Sequence, residues 1–192
     1  MKRAVLLLLL IIIVSLAACA NTNDPPKTTP QPNTEETPAI PDAEETPDFS
    51  YEFEFEDING NVHKLSDYKG MPVYLEVWGS WCGVCVSSLP DMNEFAGEEH
   101  DFAVLTVVTP GVAGEKSKED FIEWYKGLGY DNLIVMLDEK RQIITDFGVS
   151  AYPSQLMFDA DGNFVDGFVG LIPKQTIIDI MKGVADGTYS GL

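Results

Sequence analysis

Two of the chain's three cysteines stand close together, in Trp81-Cys82-Gly83-Val84-Cys85. Two intervening residues suit a single helical turn, so both thiols can serve one reaction. Val73–Trp78, an apolar run dense in β-branched and aromatic residues, reads as a buried strand and leads through Gly79-Ser80 into a helix beginning near Cys82. A thiol at a helix N-terminus meets unpaired amides and the positive end of the helix dipole, which stabilise its thiolate and lower its pKa. Cys82 is therefore expected to be the accessible nucleophile. Cys85, one turn further in, is expected to be less exposed and placed to attack the mixed disulfide between Cys82 and a substrate. Such exchange needs no bound organic cofactor. Two other uses of the pair compete with it. A structural disulfide here would close a very short loop, where the entropic gain is small. Half of a zinc site would need further ligands, yet there is no second cysteine pair, and His63 and His100 have no zinc-finger-like spacing. No metal ligands are expected.

The elements that must position this pair alternate between strand and helix. Tyr51, Phe53 and Phe55 alternate with Glu52, Glu54 and Glu56 as in a half-exposed strand, and Asp57-Ile58-Asn59-Gly60-Asn61 supplies a turn. Phe102–Val108 reads as a second central strand. Ser117-x-x-Asp120 resembles a capping box ahead of a helix over 118–128 that carries Phe121, Ile122, Trp124, Tyr125 and Leu128 on one face. Leu133–Leu137 is another strand, and Arg141–Phe147 a short helix stopped at Gly148. Ser154–Phe158 and Phe164–Val169 flank Asp161-Gly162 as a hairpin, and Pro173 at a first helical turn opens a last helix over Lys174–Val184. This order predicts an α/β fold, a central mixed sheet flanked by helices, with an N-terminal strand extension and an insertion before the helix at 118–128.

The chain of 192 residues divides by composition into three segments. Residues 1–18 have the form of an export signal: Lys2 and Arg3, eleven unbroken apolar residues from Ala4 to Val14, then Ser15-Leu16-Ala17-Ala18 before Cys19. The apolar run is short for a membrane span, which takes about 20 residues. Residues 19–48 follow as a tether: Asn21–Asp48 holds seven prolines, six threonines, seven acids and only Ala39, Ile40 and Ala43 as apolar residues. Too little apolar surface is available there to offset the entropy of ordering, and an extended tether would reach roughly 85 Å. Residues 49–192 form the folded domain, with 24 acids against 9 bases and hence a net charge of −15 within the chain's −19. Nucleic acid is excluded as a partner, because phosphate binding is carried by Lys and Arg.

Leu16-Ala17-Ala18-Cys19 resembles the lipobox of bacterial lipoproteins, which implies a lipid attached at Cys19 and an anchor at the extracytoplasmic face of the cell membrane. Trp-Cys-Gly-Val-Cys after a strand, and Gly148-Val149-Ser150-Ala151-Tyr152-Pro153 before a strand and an Asp-Gly hairpin, resemble the thioredoxin superfamily over residues 49–192. The resemblance implies a redox-active Cys82–Cys85 disulfide and a cis Tyr152–Pro153 bond beside it. Trp81, Tyr152 and Pro153 would then meet the substrate strand. It also implies that Glu76, six residues before Cys82, is the buried acid that moves the proton of Cys85, its pKa raised by burial. An edge or salt-bridged glutamate is the alternative for Glu76. ResA- and TlpA-type members often carry a Glu three residues after the second cysteine. Ser88 stands there instead, which weakens a role in cytochrome c maturation. Pro90 would kink the redox helix.

Val107-Val108-Thr109-Pro110-Gly111, Gly114-Glu115 and Asp120-Phe121-Ile122-Glu123-Trp124-Tyr125-Lys126-Gly127-Leu128 with Tyr130 look like the extracytoplasmic thioredoxin-like lipoproteins of Gram-positive bacteria. They are also similar to the thioredoxin domain fused ahead of some exported methionine sulfoxide reductases. That kinship implies a monomeric reductase taking electrons from a CcdA-type membrane thiol carrier and giving them to exported methionine sulfoxide reductase or other disulfide-bearing proteins. The same fold would also suit a disulfide-forming oxidase for exported proteins. A copper-chaperone-like binding protein is a further alternative, although such proteins generally have three residues between the cysteines and a later histidine.

Overall fold

A computed structural model describes residues 51–191. The expected signal segment at 1–18, the lipid site Cys19 and the tether to residue 48 lie outside the described residues. In chain order the elements are β1 (Glu54–Asp57), β2 (Val62–Lys64), a 3-10 turn (Leu65–Tyr68), β3 (Val73–Val77), α1 (Gly83–Ala96), β4 (Ala103–Val108) and α2 (Lys118–Lys126). Then come β5 (Ile134–Leu137), α3 (Gln142–Asp146), β6 (Ser154–Phe158), β7 (Phe164–Val169) and α4 (Lys174–Ala185).

The strands form one mixed sheet in the order β2-β1-β5-β4-β3-β6-β7. β3, β4 and β5 run parallel, while β1 joins β5 and β6 joins β3 antiparallel. β3 is central and buried along its whole length, as its apolar composition requires. Its alternation sends Val73, Leu75 and Val77 into a core with Phe53, Phe55, Leu105, Val107, Ile143 and Phe158. Tyr74 and Trp78 face the opposite core, built with Cys85, Leu89 and Phe95 of α1, Phe121 and Tyr125 of α2, and Ile177 and Met181 of α4. Trp78 anchors that side through ring contacts with Phe121, Trp124 and Tyr125 at centroid distances of 5.7, 6.3 and 6.1 Å. The fold is the thioredoxin-like α/β fold that the pattern predicts, with β1–β2 as the N-terminal extension and residues 109–117 as the segment ahead of α2.

Most elements match the sequence pattern to within a residue at each end, and three differences have a local cause. The first strand begins at Glu54, not Tyr51: the Glu52 carboxylate accepts the amides of Phe53, Leu65 and Ser66, sharing the Leu65 amide with Phe53 O. Phe53 and Phe55 are still buried with Glu54 and Glu56 exposed, as the alternation requires. α2 ends at Lys126, since the Gly127 and Leu128 amides tighten onto Tyr125 O and Gly129 turns left-handed at φ 72°. Pro173 is the N-cap of α4, its ψ of 140° being non-helical, while its carbonyl accepts the first helical bond from Ile177. α1 runs through Pro90, and Ser117 caps α2 by accepting the Asp120 amide.

Candidate active site

The chain leaves β3 at Val77, pairs once more through Trp78 N–H to Val107 O at 3.1 Å, and then turns. The turn closes with Cys82 N–H donating to Gly79 O at 3.1 Å, and the helix starts with Val86 N–H donating to Cys82 O at 3.0 Å. Cys82 is the N-cap: its backbone is extended and its Sγ accepts the Cys85 amide at 3.3 Å, where a serine or aspartate oxygen commonly sits. Cys82 and Cys85 form a disulfide, S–S 2.08 Å, with Cα atoms 5.2 Å apart. Cys85 is less exposed than Cys82, 1% against 6%, which is the expected order. The expected accessibility of Cys82 is corrected, however: with Sγ turned onto the helix amide, Cys82 is itself buried, and Trp81 and Val84 beside it are the exposed groups.

Trp81 stands 45% exposed and meets the Tyr152 ring edge-on at a centroid distance of 5.1 Å. Tyr152–Pro153 is cis, and the Pro153 carbonyl accepts the Gly170 amide at 2.8 Å, tying this loop to the end of β7. Burial, then the Glu115 and Asp138 charges, push the Tyr152 hydroxyl pKa up. The structure thus brings Cys82, Cys85, Trp81 and Tyr152 into one region, with Pro153 adjoining Tyr152.

Glu76 lies apart, beneath α1. It sits mid-strand in β3, between Thr106 of β4 and Gln155 of β6 in the register, and is 4% exposed. Neither an edge position nor a salt bridge explains it. Its one hydrogen bond comes from the Tyr74 hydroxyl at 3.4 Å, and burial, outweighing that bond, pushes its pKa up to about 7. Glu76 lines a cleft of about 280 Å³ together with Ser88, Asp91 and Met92 of α1 and Lys174 of α4. Ser88 is bonded to the carbonyl of Cys85 at 2.8 Å, so the cleft reaches the turn of α1 that bears the second cysteine.

Three polar residues at or near the site lack a sequence role. Glu115 is 8% exposed and folds its carboxylate onto Ser80, two residues before Cys82. Asp138 is fully buried and accepts the amides of Gln142 and Ile143, both at 2.8 Å, capping α3 where Arg141 cannot. Gln155, also fully buried, stands across the sheet from Glu76 with no hydrogen bond to either side-chain amide atom. Glu115 was visible only as part of the Gly-Glu motif. Asp138, directly after a strand and ahead of a short helix, carried the one local signal, that of a capping residue.

The model of the AhpC/TSA family matches residues 43–166. The chain is similar to the exposed lipoprotein thioredoxin Etrx1 of Streptococcus pneumoniae, whose crystal structure is 44% identical, covers 69% of this chain and 98% of that one, and superposes with a TM-score of 0.66. It is similar also to the N-terminal domain of PilB from Neisseria gonorrhoeae, 27% identical over 67% of this chain and 86% of that one, with a TM-score of 0.62. The thiol-disulfide oxidoreductase ResA of Bacillus subtilis is 31% identical over 140 residues, 72% of this chain and 75% of that one.

Proposed function

The chain belongs to the AhpC/TSA family as a thioredoxin-like thiol-disulfide oxidoreductase, and on that premise we propose that it is an exported, lipid-anchored reductase of disulfides in exported methionine sulfoxide reductase. The observation that carries the reading is Cys82 at the N-cap of α1, disulfide-bonded to Cys85 beside exposed Trp81. The lipobox-like run before Cys19, and similarity to a protein named an exposed lipoprotein, support the anchor at the extracytoplasmic face.

In the proposed cycle the Cys82 thiolate attacks one sulfur of the target disulfide and the other target sulfur leaves as a thiolate, which takes up a proton. The Cys85 thiol gives its proton to Glu76, and its thiolate attacks Sγ of Cys82. That step releases the second target thiolate and leaves the Cys82–Cys85 disulfide. Two electrons have passed to the target. A CcdA-type membrane dithiol returns them by the reverse exchange. Trp81 and Tyr152 form the apolar rim against which the target segment lies, and the chain after Pro153 aligns its backbone.

The test uses the full chain with Cys85→Ser, mixed with an oxidised, disulfide-bearing exported methionine sulfoxide reductase and resolved without reductant. A mixed disulfide through Cys82, absent from the Cys82→Ser protein, is expected. Equal capture by the Cys82→Ser protein would overturn the order of attack, and no capture by either would overturn the proposed target.

A further inference from the structure

The segment between β4 and α2 carries Gly114-Glu115-Lys116 just ahead of the Ser117 cap, and the exchange cycle above assigns these residues nothing. Glu115 accepts both the backbone N–H and the hydroxyl of Ser80, together with the Lys116 amide at 2.7 Å. Ser80 Oγ in turn accepts from Lys116 Nζ at 2.7 Å, and that ammonium stands 5.0 Å from the centroid of the Trp124 ring. A carboxylate and an ammonium therefore converge on one serine, two residues ahead of Cys82.

The loop is shaped to deliver them. Gly111 N–H donates to Lys116 O at 2.8 Å and Glu115 N–H to Val112 O at 2.9 Å, while Ala113, at φ 52°, adopts a backbone that side chains disfavour. On the other side of the contact Gly79 leaves no room for a side chain: a Cβ there would lie 2.8 Å from Trp81 Nε1 and 3.1 Å from Glu115 Oε2. Trp81, Gly79 and Glu115 are thus packed as a unit at the approach to the disulfide.

We propose that Glu115 is a positioning residue that tunes the Cys82–Cys85 pair toward reduction of its targets, fixing the Gly79-Ser80 turn by hydrogen bonds and opposing the Cys82 thiolate by its charge. The inference rests on Cys82 being the nucleophilic thiol. Reducing the disulfide places negative charge on Cys82, which the α1 amides and dipole favour. A carboxylate held nearby disfavours that charge, and a dithiol form made less stable gives up its electrons more readily. Burial keeps solvent ions from screening the effect. Lys116 carries the opposite sign. The carboxyl of Glu76, the hydroxyl of Tyr152 and the carboxyl of Asp138, whose charge acts on Tyr152, also lie about the site, and the substitutions below leave all three in place.

The full chain and its variants are equilibrated at pH 7 with defined ratios of reduced and oxidised glutathione. Cys82 and Cys85 are then read by alkylation and peptide mass, which separates them from Cys19. Glu115→Gln keeps the size of the side chain, removes its charge and exchanges one of its two accepting oxygens for an amide NH2, and is expected to shift the equilibrium toward the dithiol by about three- to tenfold, tenfold being about 30 mV. Lys116→Met is expected to shift it in the opposite direction. No shift in Glu115→Gln, or the same direction in both variants, would reduce Glu115 to a structural clamp and overturn the proposal. Should Glu115→Gln fail to fold, Lys116→Met alone decides by its sign. A wild-type pair that never exchanges with glutathione would overturn the cycle on which the proposal rests.

Discussion

Replacing Glu76 by Gln isolates the consequence of burying an acid in the central strand. In the fold its pKa is about 7, against 4.5 for the free group, because burial disfavours the charged form. Below pH 4.5 both folded and unfolded chains hold the proton. As pH rises from there towards 7 the unfolded chain binds fewer protons than the folded one, so stability falls, and above 7 the loss is complete and flat. The full shift corresponds to about 3 kcal/mol, of which about 2–3 kcal/mol develops between pH 5 and 8.5. Glu76→Gln removes that dependence. The oxidised variant is expected to be little changed relative to wild type at pH 5 and to gain about 2–3 kcal/mol on it at pH 8.5, a rise of about 1–2 M in the urea midpoint. The difference between the two proteins cancels all other titrations that they share. A difference equal at the two pH values would refute the placement of Glu76 as an ionisable group without a compensating charge. In the proposed cycle Glu76 accepts the Cys85 proton, so the same substitution is expected to slow release of trapped targets.

Asp57 behaves in the opposite sense. Burial raises its pKa, but hydrogen bonds from Asn61, His63 and Asn59 outweigh burial and hold it below the usual carboxylate value. Its stabilisation is therefore present above about pH 4, the unfolded value, and is lost as pH falls through the folded one. Asp57→Asn should cost about 1–3 kcal/mol at pH 7 and progressively less below pH 4, read by chemical denaturation across that range. Phe121, fully buried against Trp78, Trp124 and Tyr125, should cost about 3–5 kcal/mol when truncated to Ala, with a matching drop in Tm.

Features encoded by neighbours in sequence are legible in the sequence itself. The alternation at Phe53 and Phe55, the apolar β3, Ser117 ahead of α2 and the Asp-Gly turn between β6 and β7 each depend on a few adjacent residues, and each appears where the pattern places it. The redox pair was legible for the same reason, since Cys82 and Cys85 share one turn of helix. Contacts between distant segments were not. Glu115 meets Ser80 across 35 positions, and Glu52 accepts the Leu65 amide across 13. Glu76 illustrates the boundary: spacing and family resemblance mark it, but only the register, with Gln155 and Thr106 beside it, and the lack of any salt bridge to it among the described residues show why burial raises its pKa. The burial of Cys82 could not be anticipated from its position at the helix start, because it follows from the inward turn of Sγ onto the Cys85 amide.

The most direct test of the account is the reduction potential of the Cys82–Cys85 pair in the full chain, measured by equilibration with thiol-disulfide buffers and peptide-resolved alkylation. A reductase should fall toward the thioredoxin end of the scale, at about −270 mV. A value near that of a strong oxidant such as DsbA, about −120 mV, would contradict the proposed direction and make disulfide formation in exported proteins the function of the same site.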